Sequence, residues 1–511
     1  MVMKITFERK GEKGMNTFMN QLKNDTNFGR TANGALTHKT TNSAVYDMFA
    51  LGGAYRKRSE EDVILLFKNA LEEDTSLALK CLFYLRDCRG GQGERRFFRI
   101  CFKWLAESHT DTARRLMDYV AEYGRWDDLI YTAIGTPLEK EMADRVFKQL
   151  RLDVSCKTPS LLGKWMPSEN ASSATTKAAA NTLRKRFGLS HKTYRKTLST
   201  LRKKINVVER LMSANEWDKI EFDKIPSKAG LIYKNAFARR DIIAKKYEAF
   251  AKDENTKVNA KTLYPYDVVA KALEEVNPWT GESAASTTDR KMIEKYWDNL
   301  PDYFNGKDCS MMCVVDTSGS MHGNGASAPI NVAISLGMYC AERIGGPFKN
   351  HYISFSSRPQ LIDIKGVDFV DKVARIYKTN LCQNTDINGV FNLLRNTALQ
   401  DGVRKEDIPK TIVIISDMDI DYMSEGRGWT RNNSATEMER IRIQWAADGL
   451  ELPKLVYWNV RANNDNILDA GPNVSYVSGA SPVIFEQVLS GKTGYELMLD
   501  KLMSSRYEQI K

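Results

Sequence analysis

Residues 310–321 read SMMCVVDTSGSM. The apolar run Met311–Val315 has the length and character of a buried strand, and the turn glycine Gly319 marks where that strand gives way to a loop. Four further apolar, partly β-branched runs follow: HYISFS (351–356), KTIVIISD (410–417), LPKLVYWNV (452–460) and VSYVSG (474–479). Between them lie the amphipathic stretches NVAISLGMYCAERI, INGVFNLLRNTAL, SATEMERIRIQWAADG and SPVIFEQVLSG, with helical spacing of their apolar residues. Strands alternating with helices predict a mostly parallel sheet covered on both faces, a doubly wound, Rossmann-like α/β domain over residues 301–511. In such a sheet a ligand sits beyond the carboxyl ends of the strands.

Upstream the pattern changes. From 41 to 300 apolar residues recur at three- and four-residue steps, as in SEEDVILLFKNALEE, SLALKCLFYLRD and RRFFRICFKWLAES. Ser59 is placed to cap the first of these helices, and Asp111 or Thr112 to cap one beginning near Arg114. A succession of helical hairpins predicts an all-α repeat domain of HEAT-like type, although no clean period is visible. Residues 1–40, rich in Asn, Thr and Gly, predict an irregular arm.

The 8 cysteines are scattered, several within apolar runs, as reduced thiols are, and none has zinc spacing. The opening residues lack a signal-peptide core and no run is long enough for a membrane span, so a cytoplasmic protein with no membrane partner is expected. A net charge of +11 makes polyanions such as RNA candidate partners.

The loop after the first α/β strand carries Asp316, Ser318 and Ser320, one carboxylate and two hydroxyls on one side of a turn. That set suits a hard cation that prefers oxygen ligands. Two more strand-end loops offer Thr385 and Asp417. The simpler reading is that Asp316 and the serines only satisfy turn amides and cap the next helix. With these residues in hand, the C-terminal half resembles a von Willebrand factor A domain. That resemblance implies a divalent cation, Mg²⁺ by preference, held directly by Ser318, Ser320 and Thr385 and through water by Asp316 and Asp417. A partner's carboxylate would supply the last ligand. The family's glycine after the third aspartate is replaced here by Met418, which leaves Asp419 and Asp421 as substitutes for Asp417.

A second constellation lies between Ser172 and Val208, where ten Lys or Arg occur with no acidic residue. Arg184, Lys185, Arg186, Lys192, Arg195, Lys196, Arg202, Lys203 and Lys204 are candidate phosphate contacts, with aromatics interleaved. A solvated helix face is the plainer reading of the same residues. The Gly-rich turn in LRDCRGGQGERRFFR (85–99) either holds a phosphate on its amides or simply ends a helix. Helical repeats followed by one A-type domain resemble the TROVE/Ro family. LRDCRGGQGERRFFR, YGRWDDL (123–129), the segment from Ser190 to Gly230 and VVDTSGSM resemble more closely an uncharacterised family of plants, fungi and large viruses with the same layout. The resemblance implies a non-enzymatic protein that holds structured or misfolded RNA. A protein-interaction scaffold using the A domain without nucleic acid is the alternative. The five histidines and the Asp417, Asp419, Asp421 run give no persuasive catalytic pairing, so no enzyme is expected.

Overall fold

The computed structural model describes residues 27–30, 36–205, 207–277, 280–355, 359–379, 386–419, 437–463, 465, 467–468, 473–492 and 494–511. A helical region is followed by an α/β domain. The helical region opens with Ala44–Leu51, Glu60–Glu73, Thr75–Arg86, Arg95–Ser108, Thr110–Tyr123, Trp126–Ala133 and Glu139–Ser155. It continues through Leu162–Trp165, Ala174–Arg186, His191–Lys204 and Val208–Ser213, and ends with Ser227–Ala238, Asp241–Lys252, Pro265–Leu273 and Thr287–Asp298. Neighbours in sequence pack on one another along most of this run.

Side-chain caps set many of these boundaries. Ser59 Oγ accepts from the Asp62 amide at 3.1 Å, as its position predicts. Asp74 ends one helix and starts the next, its carboxylate accepting from the Leu77 amide at 2.8 Å. The cap expected at Asp111 or Thr112 is not formed. That helix starts earlier, at Thr110 behind His109, and Asp111 sits in its first turn paired with Arg114.

After two short N-terminal strands, Phe28–Arg30 (β1) and Leu36–His38 (β2), the α/β domain has strands β3 (Met311–Asp316), β4 (His351–Phe355), β5 (Gln360–Asp363), β6 (Thr411–Ser416), β7 (Lys454–Asn459) and β8 (Val474–Ser478). Their order across the sheet is β5-β4-β3-β6-β7-β8. All neighbours are parallel except β5, an antiparallel edge. Within the domain this is the order 3-2-1-4-5-6, a doubly wound sheet whose direction of growth reverses between β3 and β6. Burial of both faces explains why β3 and β6 to β8 are near-continuous apolar runs. The expected irregular arm needs correction where it is described. Phe28–Arg30 (β1) pairs antiparallel with Leu36–His38 (β2), and His38 bridges to Ile467 of the α/β domain. Three-residue strands carry too little alternation to be read as strands. Among the described residues no helix is long and apolar enough to cross a membrane, and the seven described cysteines are free thiols.

Both ends of the helical region rest on the α/β domain. At the first, the Tyr476 amide donates to the Tyr46 hydroxyl at 2.8 Å and the Gly53 amide to Ser478 Oγ at 2.9 Å. Asp87 takes an ion pair from Arg506 and the Tyr507 hydroxyl at 3.0 Å. At the second, Pro265–Leu273 and Thr287–Asp298 pack on the helices Pro329–Arg343 and Phe369–Thr379, with Arg290 bonding Asp368. The two ends also meet each other, since the Tyr264 hydroxyl donates to the Gln92 carbonyl at 3.1 Å.

Backbone comes so close to backbone at the first joint that a Cβ on Gly53 would lie 2.7 Å from the Ser478 carbonyl oxygen. Gly53→Ala is therefore expected to cost about 1–3 kcal/mol, because neither main chain can yield cheaply. Gly323→Ala, whose added methyl meets only ordinary contacts at 3.7 Å, should leave the melting temperature unchanged. Equal thermal melts for the two variants would refute this account of the joint.

Candidate metal centre and basic face

Parallel pairing of β3 with β6, with Val314 opposite Ile414 and Val315 opposite Ile415, brings the two strands to an end side by side. Asp316 closes β3 and Asp417 follows β6, and both are fully buried. This is the switch point of the sheet, on whose two sides the strand order runs in opposite directions.

The Asp316 carboxylate accepts the Ser318 amide at 2.9 Å through Oδ1 and the Ser416 hydroxyl at 2.5 Å through Oδ2. The hydroxyls of Ser318 and Ser320 lie 3.1 Å apart, and Ser320 also hydrogen-bonds the Asp417 carboxylate. Asp417 further accepts the Asp419 amide at 3.3 Å and Asn463 Nδ2 at 3.2 Å. Four of the five expected ligands, Asp316, Ser318, Ser320 and Asp417, thus share one cluster. The fifth, Thr385, lies outside the described residues, as does Asp421. The next residue after Thr385, Asp386, caps Ile387–Ala398 by accepting the Gly389 amide at 2.9 Å.

The missing glycine has a physical answer. Met418 takes φ 62°, the left-handed conformation that glycine adopts freely. Its amide is fixed by Ser416 Oγ at 3.0 Å and its side chain is buried in the core. Packing of the thioether thus offsets the strain.

Burial, and after it the negative charge of Asp316, push the Asp417 carboxyl up to about 7. The donors are all oxygens, two of them on buried acids and two on neutral hydroxyls. That set fits a hard divalent cation, whose charge would relieve the repulsion between the carboxylates. Three participants carry no motif. Asn463, Ser416 and Arg461, whose guanidinium donates to the Ser320 carbonyl at 3.3 Å, are brought in by strand order alone. The only signal for the loop 460–463 is that it leaves the same sheet edge. His322 touches the Ser318 carbonyl at 3.2 Å, outside the acid cluster.

The basic stretch divides into two groups. Arg202 caps the short helix Leu162–Trp165 by donating to the carbonyls of Gly163 and Met166, both at 3.0 Å. Lys204 does the same for the carbonyls of Asp153, Val154 and Cys156 at the end of Glu139–Ser155. Arg184 pairs with Glu169 and Arg186 with Glu139, at 3.1 and 2.7 Å. These four hold the fold together. Lys185, Lys192, Lys196 and Lys203 are exposed with no acidic partner among the described residues, and exposed Arg195 stands 3.9 Å from Glu169.

The Gly-rich turn ends a helix. The Gly93 amide is bonded to the Asp87 carbonyl at 3.0 Å, and the Gly90 amide to the Asp87 side chain.

A family model described as "Domain of unknown function (DUF2828)" matches residues 31–131 and 148–306, half of the chain. The chain belongs to the DUF2828 family. A second model, "Domain of unknown function (DUF7788)", matches 310–507, so the DUF2828 match ends four residues before the one that carries β3 and the acid cluster. An uncharacterised protein of Acanthamoeba polyphaga mimivirus is 29% identical to this DUF2828 chain over 484 residues, covering 86% of this chain and 80% of its own.

The raised Asp417 carboxyl gives a pH signature. The folded acid keeps its proton up to about 7 while its ordinary value is 3.8, so cation-free protein should lose stability as pH rises between those values. Asp417→Asn should flatten that slope, leaving the variant the more stable of the two at pH 8 in chelator, by up to a few kcal/mol. Parallel melting-temperature profiles for both proteins would count against the buried acid pair.

Proposed function

We propose that the chain is a non-enzymatic RNA-binding protein whose C-terminal half is a von Willebrand factor A-type domain carrying one Mg²⁺-like cation. The observation that carries the cation reading is the convergence of Asp316, Ser318, Ser320 and Asp417 at the switch point. The sheet order with its antiparallel edge supports the A-type reading, and the sequential packing of the helices supports a HEAT-like arc. Ser318, Ser320 and Thr385 would hold the cation through hydroxyls, with Asp316 and Asp417 behind them. Neutral direct ligands leave the ion most of its charge, which suits it to recruit an acidic side chain from a protein partner.

RNA would lie along the two helices Ala174–Arg186 and His191–Lys204, on the phosphate-seeking cations Lys185, Lys192, Arg195, Lys196 and Lys203. A scaffold reading, with both halves binding polypeptide, is favoured by the engagement of Arg184, Arg186, Arg202 and Lys204 within the fold, which thins the basic face.

Three measurements test these readings, the first their shared cation site and the other two the choice between them. Mg²⁺ should raise the melting temperature of wild type and not of Asp316→Ala, as binding to the folded state alone requires. Filter binding of a structured RNA hairpin should weaken by an order of magnitude or more on reversing Lys185, Lys192, Lys196 and Lys203 to Glu, with a shallower salt slope. Unchanged RNA affinity together with Mg²⁺-dependent protein capture would favour the scaffold. No Mg²⁺ effect on either protein would remove the adhesion site.

A further inference from the structure

The two motifs LRDCRGGQGERRFFR and YGRWDDL come together in space. Arg86 bonds Asp128 through Nε and Nη2 at 2.8 and 2.6 Å, both groups being buried. Arg99 reaches the other oxygen of Asp128 at 2.7 Å, and Oδ2 of Asp127 at 2.7 Å. Arg125 bonds the same Asp127 carboxylate through Nε and Nη2, both at 3.0 Å. Arg95, exposed in the first turn of Arg95–Ser108 and one turn before Arg99, has no acidic partner among the described residues.

Three guanidinium groups therefore share two carboxylates, and with unpaired Arg95 the cluster carries an excess of two positive charges. The nearby acids are already committed, Glu94 to Arg56 and Asp87 to Arg506. Partial burial and the like charges of Arg125 and Arg99 hold the Arg95 guanidinium below its ordinary range. Such crowding is relieved by an anion, and planar guanidinium forks match phosphate oxygens. Beside the cations stands an aromatic layer. The Arg125 guanidinium lies 3.9 Å from the centre of the Trp165 ring and Arg99 5.1 Å from that of Tyr131. Guanidinium planes and aromatic rings together are what unpaired bases stack upon. The cluster is continuous with the basic helices, since the Tyr131 hydroxyl donates to Thr176 Oγ1 at 3.3 Å and Arg202 caps the helix that carries Trp165.

We propose that Arg95, Arg99 and Arg125 form a phosphate site for single-stranded nucleic acid, with the Arg125–Trp165 layer receiving the neighbouring unpaired base. The site rests on the RNA-binding reading but uses different residues, and it takes strand rather than duplex because its stacking surface needs a base freed from its pair.

The experiment uses the full chain and two labelled probes, a ten-nucleotide oligo-uridylate and the structured hairpin, read by fluorescence anisotropy across a salt series. Arg95 is exposed and outside the Asp127 and Asp128 pairings, so Arg95→Glu should fold normally, checked by circular dichroism. It should bind the oligo-uridylate about tenfold or more weakly, with a salt slope smaller by about one, and bind the hairpin as wild type does. Arg95→Lys, which keeps the charge, should recover most of the loss. Wild-type binding of the hairpin but not of the oligo-uridylate, or equal oligo-uridylate binding by wild type and Arg95→Glu, overturns the phosphate site and leaves the helical face standing. Binding of neither probe by wild type overturns both.

Discussion

The parallel pairing of β3 with β6 is the constraint on which the rest turns. Register between these central strands fixes where each ends, and a slip would move one acid away from the other. With the register as it is, two carboxylates stand together out of reach of bulk water. Like charges so placed are tolerated only if one is protonated or a cation lies between them. The hydroxyls of Ser318, Ser320 and Ser416 and the amides of Ser318 and Asp419 orient the acids without neutralising them. The pair is thus held with one carboxyl raised, by burial and by the charge of its neighbour.

The helical region answers a different constraint. Its helices pack chiefly on elements close to them in sequence, and the first and last would expose an apolar face if the run stood alone. Here both termini of the run are covered by the α/β domain and touch one another. Ion pairs fix both levels of this packing: Arg86 with Asp128, both buried, within the helical region, and Arg506 with the buried Asp87 across the joint. Ion pairs of this kind contribute less to net stability than to choosing one arrangement, since removing a single partner strands a buried charge.

Much of this was legible in the sequence. The strands β3, β4, β6, β7 and β8 announced themselves as apolar runs, because burial on both faces removes the polar alternation that would confuse them with loops. β5 escaped notice because Gln360–Asp363 is a short edge with a single buried residue. The helix Phe369–Thr379 has amphipathic spacing in its sequence, FVDKVARIYKT. At the acid cluster Asp316, Ser318, Ser320 and Asp417 were readable from strand exits. Asn463 and Arg461 were not, because their loop carries no motif and only the order of strands brings it near. Nor can a sequence separate a lysine facing solvent from one capping carbonyls. Arg202 and Lys204 differ from Lys196 and Lys203 only by where other helices happen to end.

The joint between Tyr46 and Tyr476 spans 430 positions. During synthesis the first helices leave the ribosome long before the strand they lean on exists, so their docking face must wait uncovered while most of the protein is made. Contacts of such long range slow folding and leave sticky intermediates. Assembly of this joint is therefore gated by the arrival of β8.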